Sequence, residues 1–375
     1  MRIGLGVTAL VRNVAAGRHD GIGAYSSALR MELRRAFPMH SFSDAAFEAG
    51  EVWYRRPSRR YELNALASAT LGRRFDPLHL FSEEFDLFHA LDHYIPNMTI
   101  PVVATVHDVG PLSHPHLWPQ KLRRWKNLLY AAKCRFPTLI IAVSRFTADE
   151  LCRCVGLERR SIEVIYEGVG KHIVEESQCS LDWAHMGEKY GLKPGYVVYC
   201  GTISRKKNLS TLLKAHAGLD CRTSARHPLV IIGSVAGKEE VSDVIALIRR
   251  GERAGVVRWL GALPDAEAAK VLHHGELFAF PSLHEGFGLP VLEAFQLGVP
   301  VLTSNVASLP EISGGSAVLV NPTDCAQLAR ALEQLLRDSA WRRELSERGK
   351  ERAAEFSWEE CARLTVGAYE RVVAR

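Results

Sequence analysis

The feature that most restricts what this chain can fold into is a recurrence of short apolar runs, each bounded by turn residues and followed by a stretch with helical spacing. In the first half the runs are Ile3 to Val7, Asp86 to Ala90, Val102 to Val106, Leu139 to Val143 and Ile162 to Tyr166. In the second half they are Tyr196 to Cys200, Leu229 to Gly233, Val256 to Leu260, Leu277 to Phe280, Val299 to Thr303 and Ala317 to Val320. Near-continuous apolar runs separated by helices are the pattern of parallel strands buried on both faces. The pattern occurs once in each half, which predicts an α/β protein of two doubly wound domains. A chain of 375 residues, 47% hydrophobic, is also too long for one ordinary core. Residues 170–194 lose the strand pattern, carry Glu175-Glu176-Ser177-Gln178 and end in Lys193-Pro194-Gly195, a linker composition. The expected division is a first domain over residues 1–178, a second over 179–355, and a closing helix over 356–375. Ser357 caps that helix, Glu359 and Glu360 fill its first turn, and apolar residues recur at helical spacing to Val373.

No segment approaches the roughly 18 apolar residues that a membrane span requires. Met1 leads directly into a strand-like run, so a cytoplasmic protein without signal peptide is expected. The eight cysteines are scattered, and Cys152 and Cys154 lack a second pair of soft ligands, so no metal is assigned. The formal charge is +5, with basic residues grouped in the first half: Arg55, Arg56, Arg59 and Arg60, then Arg73 and Arg74, then Lys121, Arg123, Arg124 and Lys126. Two readings stay open for these groups, a solvated face or contact with anionic lipid headgroups or a phosphate-bearing acceptor. No nucleic-acid-binding motif accompanies the charge, and nucleic acid is not expected as a partner.

Ligands of open parallel sheets bind beyond the carboxyl ends of the strands, so the residues that follow strands carry the functional signal. After the run at Leu277 comes Pro281-Ser282-Leu283-His284-Glu285-Gly286-Phe287-Gly288-Leu289-Pro290-Val291-Leu292-Glu293. A glycine-bearing loop there gives way to a helix, with Pro290 suited to the first helical position. Backbone N–H groups of Gly286, Phe287, Gly288 and Leu289 would then face a diphosphate at the positive end of the helix. Glu285 in the loop and Glu293 in the helix suit the two ends of one ligand, since carboxylates accept hydrogen bonds from vicinal sugar hydroxyls. After the run at Tyr196, Gly201-Thr202-Ile203-Ser204-Arg205-Lys206-Lys207-Asn208-Leu209 places three adjacent cations where they would neutralise a diphosphate. Thr303-Ser304-Asn305-Val306 follows another strand with small polar residues that permit close backbone approach. In the first half, Gly21-Ile22-Gly23-Ala24-Tyr25-Ser26 opens a helical run, and Val106-His107-Asp108 closes a strand, with His114, His116 and Trp118 just downstream.

These motifs together resemble the retaining glycosyltransferases of family 4, and the resemblance covers nearly the whole chain. It implies the GT-B fold, two Rossmann-like domains facing a cleft with the C-terminal helix returning toward the first domain. It also implies that Glu285 contacts the transferred sugar and Glu293 the ribose hydroxyls, with Lys207 on the diphosphate. His107 would lie beside the donor sugar, which makes His107, Glu285 and Lys207 the expected catalytic set. Gly23, Arg205, Lys206, Gly286, Phe287, Gly288, Leu289, Ser304 and Asn305 complete the donor site, and Tyr25, Asp108, His114 and His116 are expected on the acceptor side. The sequence departs from the family pattern at several places. Lys206 stands where arginine is usual and Arg205 where proline often sits, leaving open which of them forks the phosphate oxygens. Ala24 replaces the arginine of G-I-G-R-Y-T. Glu167, in Tyr166-Glu167-Gly168-Val169, replaces the usual asparagine, so no contact is carried over to it.

The resemblance implies retention by front-face substitution, in which the departing diphosphate takes the acceptor proton. Only leaving-group stabilisation and positioning are then asked of the protein, and neither cofactor nor metal is required. The combination G-I-G-x-Y, H-D and E-G-F-G-L-P looks most like bacterial mannosyltransferases of O-antigen and lipopolysaccharide synthesis. The expected donor is a GDP-sugar of mannose or a deoxymannose such as rhamnose, the expected acceptor a lipid-linked glycan, and the expected location the cytoplasm, with peripheral contact at the inner face of the plasma membrane left open. A UDP-sugar donor stays open. A sugar-nucleotide epimerase of the same architecture is opposed by the E-G-F-G loop. A non-catalytic sugar-nucleotide scaffold is opposed by the joint presence of His107, Lys207, Glu285 and Glu293.

Overall fold

The computed structural model describes residues 1–15, 21–46, 84–118, 123–170, 183–235 and 241–374. The arginine groups at Arg55 to Arg60 and at Arg73 and Arg74, together with Lys121, Cys179 and residues 171–182 of the expected linker, lie outside the described residues, and the helix Trp183–Tyr190 occupies part of the rest of that expected linker. The chain forms two compact units, one of Met1–Gly168 with Ser357–Arg375, the other of Val169–Phe356.

The first unit is built on a parallel sheet in the order β2-β1-β3-β4-β5-β6. Its strands are β1 (Arg2–Gly6), β2 (Ser41–Ala45), β3 (Leu87–Ala90), β4 (Val102–Val106), β5 (Leu139–Ala142) and β6 (Ile162–Val164). Every residue of β3, β4 and β5 is buried, which is why their sequences read as unbroken apolar runs. The edge strand β2, Ser-Phe-Ser-Asp-Ala, has only β1 beside it among the described residues and gives no apolar run. Its Asp44 instead pairs with Arg30 and Arg34, both at 2.7 Å, which ties the helix Gly21–Ala36 to the sheet edge.

One face of this sheet buries Ile3, Leu5, Leu87 and Ile141 against Leu29 and Leu33 and against Trp358, Ala362, Val366 and Tyr369 of the helix Trp358–Val373. Full burial of each leucine, isoleucine or valine among these contributes about 1.5–3 kcal/mol. The closing helix is thus part of the first unit's core. Its start is set as the sequence implies, with the Ser357 hydroxyl accepting from the Glu360 N–H at 3.1 Å. The other face packs Phe88, Val102 and Ile140 against Leu151 and Val155 of the helix Arg145–Val155.

The second unit contains β7 (Val197–Cys200), β8 (Leu229–Ile232), β9 (Val257–Gly261), β10 (Leu277–Phe280), β11 (Val301–Ser304) and β12 (Val318–Val320). Their order is β9-β8-β7-β10-β11-β12, all parallel. From β7 the chain winds outward through β8 and β9, then returns to β10 and winds the other way. The segments after β7 and β10 therefore lie at the point where the strand order reverses, the usual ligand position in a Rossmann sheet. In the first sheet the corresponding reversal lies between β1 and β3.

Candidate active site

Three basic residues follow β7 in a single tight turn, Arg205–Lys207, and Asn208 ends that turn in the left-handed region at φ 54°. Asn208 is buried, and both ends of its amide are engaged. Nδ2 donates to the Pro281 carbonyl at 3.0 Å and the Pro322 carbonyl at 2.8 Å, while Oδ1 accepts from Thr211 at 2.7 Å. The basic turn is in this way fixed to the segments that follow β10 and β12. A backbone bond adds to this, the Leu283 N–H donating to the Lys206 carbonyl at 2.7 Å.

The consequence is an ion pair at the strand reversal. Lys207 Nζ lies 2.7 Å from Glu285 Oε1, both side chains largely buried, and 4.7 Å from the centre of the Phe280 ring. Burial alone would raise the Glu285 pKa. The Lys207 and Lys206 charges outweigh that and bring it below the ordinary value. Lys206 is half-buried and acts on Glu285, whereas Arg205 is exposed.

The loop that carries Glu285 is held by Ser308, whose buried hydroxyl lies 2.9 Å from the Glu285 carbonyl and 2.6 Å from that of Phe287. Gly288 caps the helix Leu289–Gln296 at φ 118°, where a Cβ would also meet Leu309 at 3.0 Å. Leu289 is the first helical residue and Pro290 the second, one place later than the sequence suggested. Pro290 still loses nothing, because the first N–H groups of a helix have no partner within it. Gly286 bridges Glu285 to Phe287, which is buried with its ring edge-on to Phe356 at 5.9 Å. Glu293 is half-buried, and its charge acts on Cys200 at the end of β7, whose thiol burial and this carboxylate push up to about 12. Ser304 ends β11 fully buried. Asn305 is exposed, its N–H donating to Val320 at 2.9 Å. Among the described residues, the buried hydroxyls of Ser304 and Tyr199 have no protein partner. An unmade buried hydrogen bond costs about 1–3 kcal/mol, so both are open to a polar ligand or water.

In the first unit His107 follows β4. Its Nε2–H donates to the Leu91 carbonyl at 3.0 Å, and Nδ1 lies 3.1 Å from Glu167 Oε1. The Tyr25 ring stands edge-on to His107 at 4.6 Å, fully buried on the same helix as Gly23. Tyr25 shares a hydrogen bond with Thr105 at 2.9 Å, and Thr105 is bound to His89 at 2.8 Å, which reaches Tyr369 of the closing helix at 2.6 Å. This position makes Tyr25 a support behind the His107 ring. Asp108 Oδ1 accepts from the Gly110 N–H at 3.1 Å, and the Trp118 ring lies so close to Gly110 that a Cβ there would sit 2.1 Å from it. His114 is half-buried with Nδ1 2.9 Å from the Ser113 hydroxyl, and His116 is exposed.

Two residues were not singled out as site residues by sequence reasoning. Asp92, just beyond β3, accepts from the Ala9 N–H at 2.6 Å and the Tyr94 N–H at 2.8 Å, and burial pushes its carboxyl up to about 6. Its signal in the sequence was its place after a strand. Glu167 is buried against His107, a partnership that no spacing rule reveals because the two lie far apart in the chain.

The second unit therefore gathers Lys206, Lys207, Glu285, Gly286 to Leu289, Glu293 and Ser304 about one strand reversal, with Arg205 and Asn305 at its exposed margin. The first gathers Gly23, Tyr25, His107 and Asp108, with His114 and His116 farther along the chain, past the short helix Gly110–Ser113.

Comparison with known proteins agrees with this geometry. Residues 20–170 match the family described as Glycosyltransferase Family 4, and residues 187–352 the family described as Glycosyl transferases group 1. The chain is 32% identical over 292 residues to O-antigen chain mannosyltransferase B of Escherichia coli, covering 76% of this chain and 74% of that protein. It is 29% identical over 288 residues to the serotype-specific mannosyltransferase WbdA of Escherichia coli, but spans only 35% of that longer protein. Among solved structures, a sucrose-phosphate synthase from Thermosynechococcus elongatus superposes with TM-score 0.77 at 20% identity, covering 100% of this chain and 99% of that one. HepE of Anabaena in complex with UDP-glucose superposes with TM-score 0.73 at 17% identity, over 99% of this chain and 100% of that one. These two likenesses show the fold alone. With both halves matched in succession and a mannosyltransferase relative aligned across most of its own length, the chain belongs to glycosyltransferase family 4 and is a retaining nucleotide-sugar glycosyltransferase of the GT-B fold.

Proposed function

We propose that this enzyme transfers mannose, or a deoxymannose such as rhamnose, from a GDP-sugar to a hydroxyl of a lipid-linked glycan in bacterial surface polysaccharide synthesis. The observation that carries the site assignment is the Lys207–Glu285 pair, seated where the second sheet reverses and backed by the Lys206 turn. A diphosphate at that strand reversal would meet two buried or half-buried ammonium groups and the amino end of the helix Leu289–Gln296. Transfer breaks the bond between the sugar C1 and the β-phosphate oxygen and forms one from C1 to the acceptor oxygen, on the same face. The acceptor proton passes to the departing phosphate. Lysine cations at the diphosphate would do by fixed charge what a divalent ion does elsewhere, so the reaction is proposed to need none. The choice of mannose rests on the named activities of the relatives, both mannosyltransferases.

Contact with anionic lipid is supported by the helix Arg123–Lys133, which exposes Trp125 and Leu128 beside Arg124 and Lys126. Exposed apolar side chains flanked by cations are the composition of a segment that lies in a membrane interface. No helix among the described residues is long and apolar enough to cross a membrane.

Thermal unfolding with GDP, UDP and ADP tests the donor class, because a ligand of the native state raises apparent stability with its affinity. GDP is expected to give the largest shift, and GDP-mannose with a lipid-linked glycan to give transfer that withstands chelation by EDTA. A shift with UDP and none with GDP would contradict the proposed donor in favour of a UDP-sugar. Conversion of GDP-mannose to another sugar nucleotide without acceptor would indicate an epimerase.

A further inference from the structure

His107 has both ring nitrogens engaged, and the nature of its two partners restricts where its protons lie. The Leu91 carbonyl can only accept, so Nε2 carries a hydrogen. At 3.1 Å, Nδ1 and Glu167 Oε1 then share one further proton, which makes either an imidazolium beside a carboxylate or a neutral ring beside a carboxylic acid. Imidazole is the stronger base of the two group types, which favours the ion pair.

We propose that Glu167 is a positioning residue that holds His107 as an imidazolium, with Nε2–H locked on the Leu91 carbonyl and its ring plane fixed against Tyr25. The backbone beside Glu167 has little freedom to withdraw, since a Cβ on Gly168 would lie 2.3 Å from the Trp358 nitrogen. Burial works against the charged ring, and Glu167, the Leu91 carbonyl and Asp108 together overcome it and raise its pKa above the ordinary histidine value. Asp92 also faces the ring, its carboxyl pushed up to about 6 by burial. His89, pushed by burial to about 3, stays neutral, and His93 is also lowered. The Tyr25 hydroxyl and, on the closing helix, the Cys361 thiol are driven up by burial and stay protonated.

The consequence for transfer rests on the proposed function, because it takes His107 as a residue beside the donor sugar. The proton inference is separable from it. Nitrogen-15 NMR of histidine-labelled whole protein, with His107 assigned by subtraction of a His107→Asn spectrum, reads the ring directly. The expected result is an imidazolium at pH 7 in the wild type, titrating above about 6.5. In Glu167→Gln the ring is expected neutral at pH 7, with the Nε2 hydrogen retained. A neutral His107 in the wild type at pH 7, or an imidazolium unaffected by Glu167→Gln, would overturn the proposal. The wild-type titration stands by itself if the variant fails to fold. In transfer assays the alkaline limb of kcat is expected to move down by a pH unit or more in Glu167→Gln. An altered ring with an unmoved limb would sustain the pair and count against the role of His107 in transfer.

Discussion

At the scale of single residues, the site depends on a buried acid whose charge is maintained by its neighbours. Glu285 has a folded pKa below its ordinary value, so the stability it contributes is present above about pH 4.5 and is lost as pH falls through the folded value. Urea unfolding between pH 7 and pH 3 is expected to show that loss, and Glu285→Gln to flatten it. An unchanged pH dependence in the variant would show that the pair is not coupled to folding. Lys207→Ala removes the partner of a buried carboxylate, a change that costs about 3–5 kcal/mol where burial is complete. Glu285→Gln keeps the shape without the charge and is the cleaner probe of function. Removal of leaving-group stabilisation by Lys207→Met in a protein that still folds is expected to lower kcat by about 10²–10³-fold, as loss of one preorganised electrostatic contact does elsewhere. A kcat within a few-fold of wild type would remove Lys207 from the chemistry.

At the scale of elements, what holds the site is a set of short connections between strand ends. Asn208→Ala would strand the Pro281 and Pro322 carbonyls and place a side chain less tolerant of φ 54° in the turn. A loss of about 2 kcal/mol or more in denaturant unfolding is expected, with weaker nucleotide binding, because the turn that holds Lys207 loosens. Gly288→Ala is expected to weaken nucleotide binding by the same route, since φ 118° and Leu309 both resist a Cβ. The strands themselves were legible in the sequence because most are interior strands of parallel sheets. All eleven apolar runs lie on strands, with boundaries shifted by a residue or two. The exception was β2, whose Asp44 answers to arginines on a helix and not to an apolar core. The loop motifs were legible for a similar reason, each lying directly after a strand end. Asn208 was seen only as one letter of a basic motif, because its partners are backbone carbonyls brought near by tertiary structure. Glu167 was set aside for differing from the family pattern, yet it lies buried on His107.

At the scale of the whole molecule, each unit has its own parallel sheet and its own strand reversal. The chain's last segment contributes Trp358, Val366 and Tyr369 to the first unit's core, so truncation after Phe356 is expected to expose that core. Loss of soluble expression, or of the first unit's cooperative unfolding transition, would follow. A soluble truncated chain with unchanged stability would show the helix to be dispensable. Binding to vesicles that contain anionic lipid is expected to fall when Trp125 and Leu128 are both changed to alanine, read by co-sedimentation. Equal recovery of wild type and double variant would locate any membrane contact elsewhere. The central claim concerns the diphosphate, and a crystal structure of the full chain with bound GDP tests it most directly. The expected result is phosphate oxygens within hydrogen-bond reach of Lys207 Nζ and of backbone N–H groups in the loop from Glu285 to Leu289. Phosphates bound away from that loop, with Lys206 and Lys207 untouched, would contradict it.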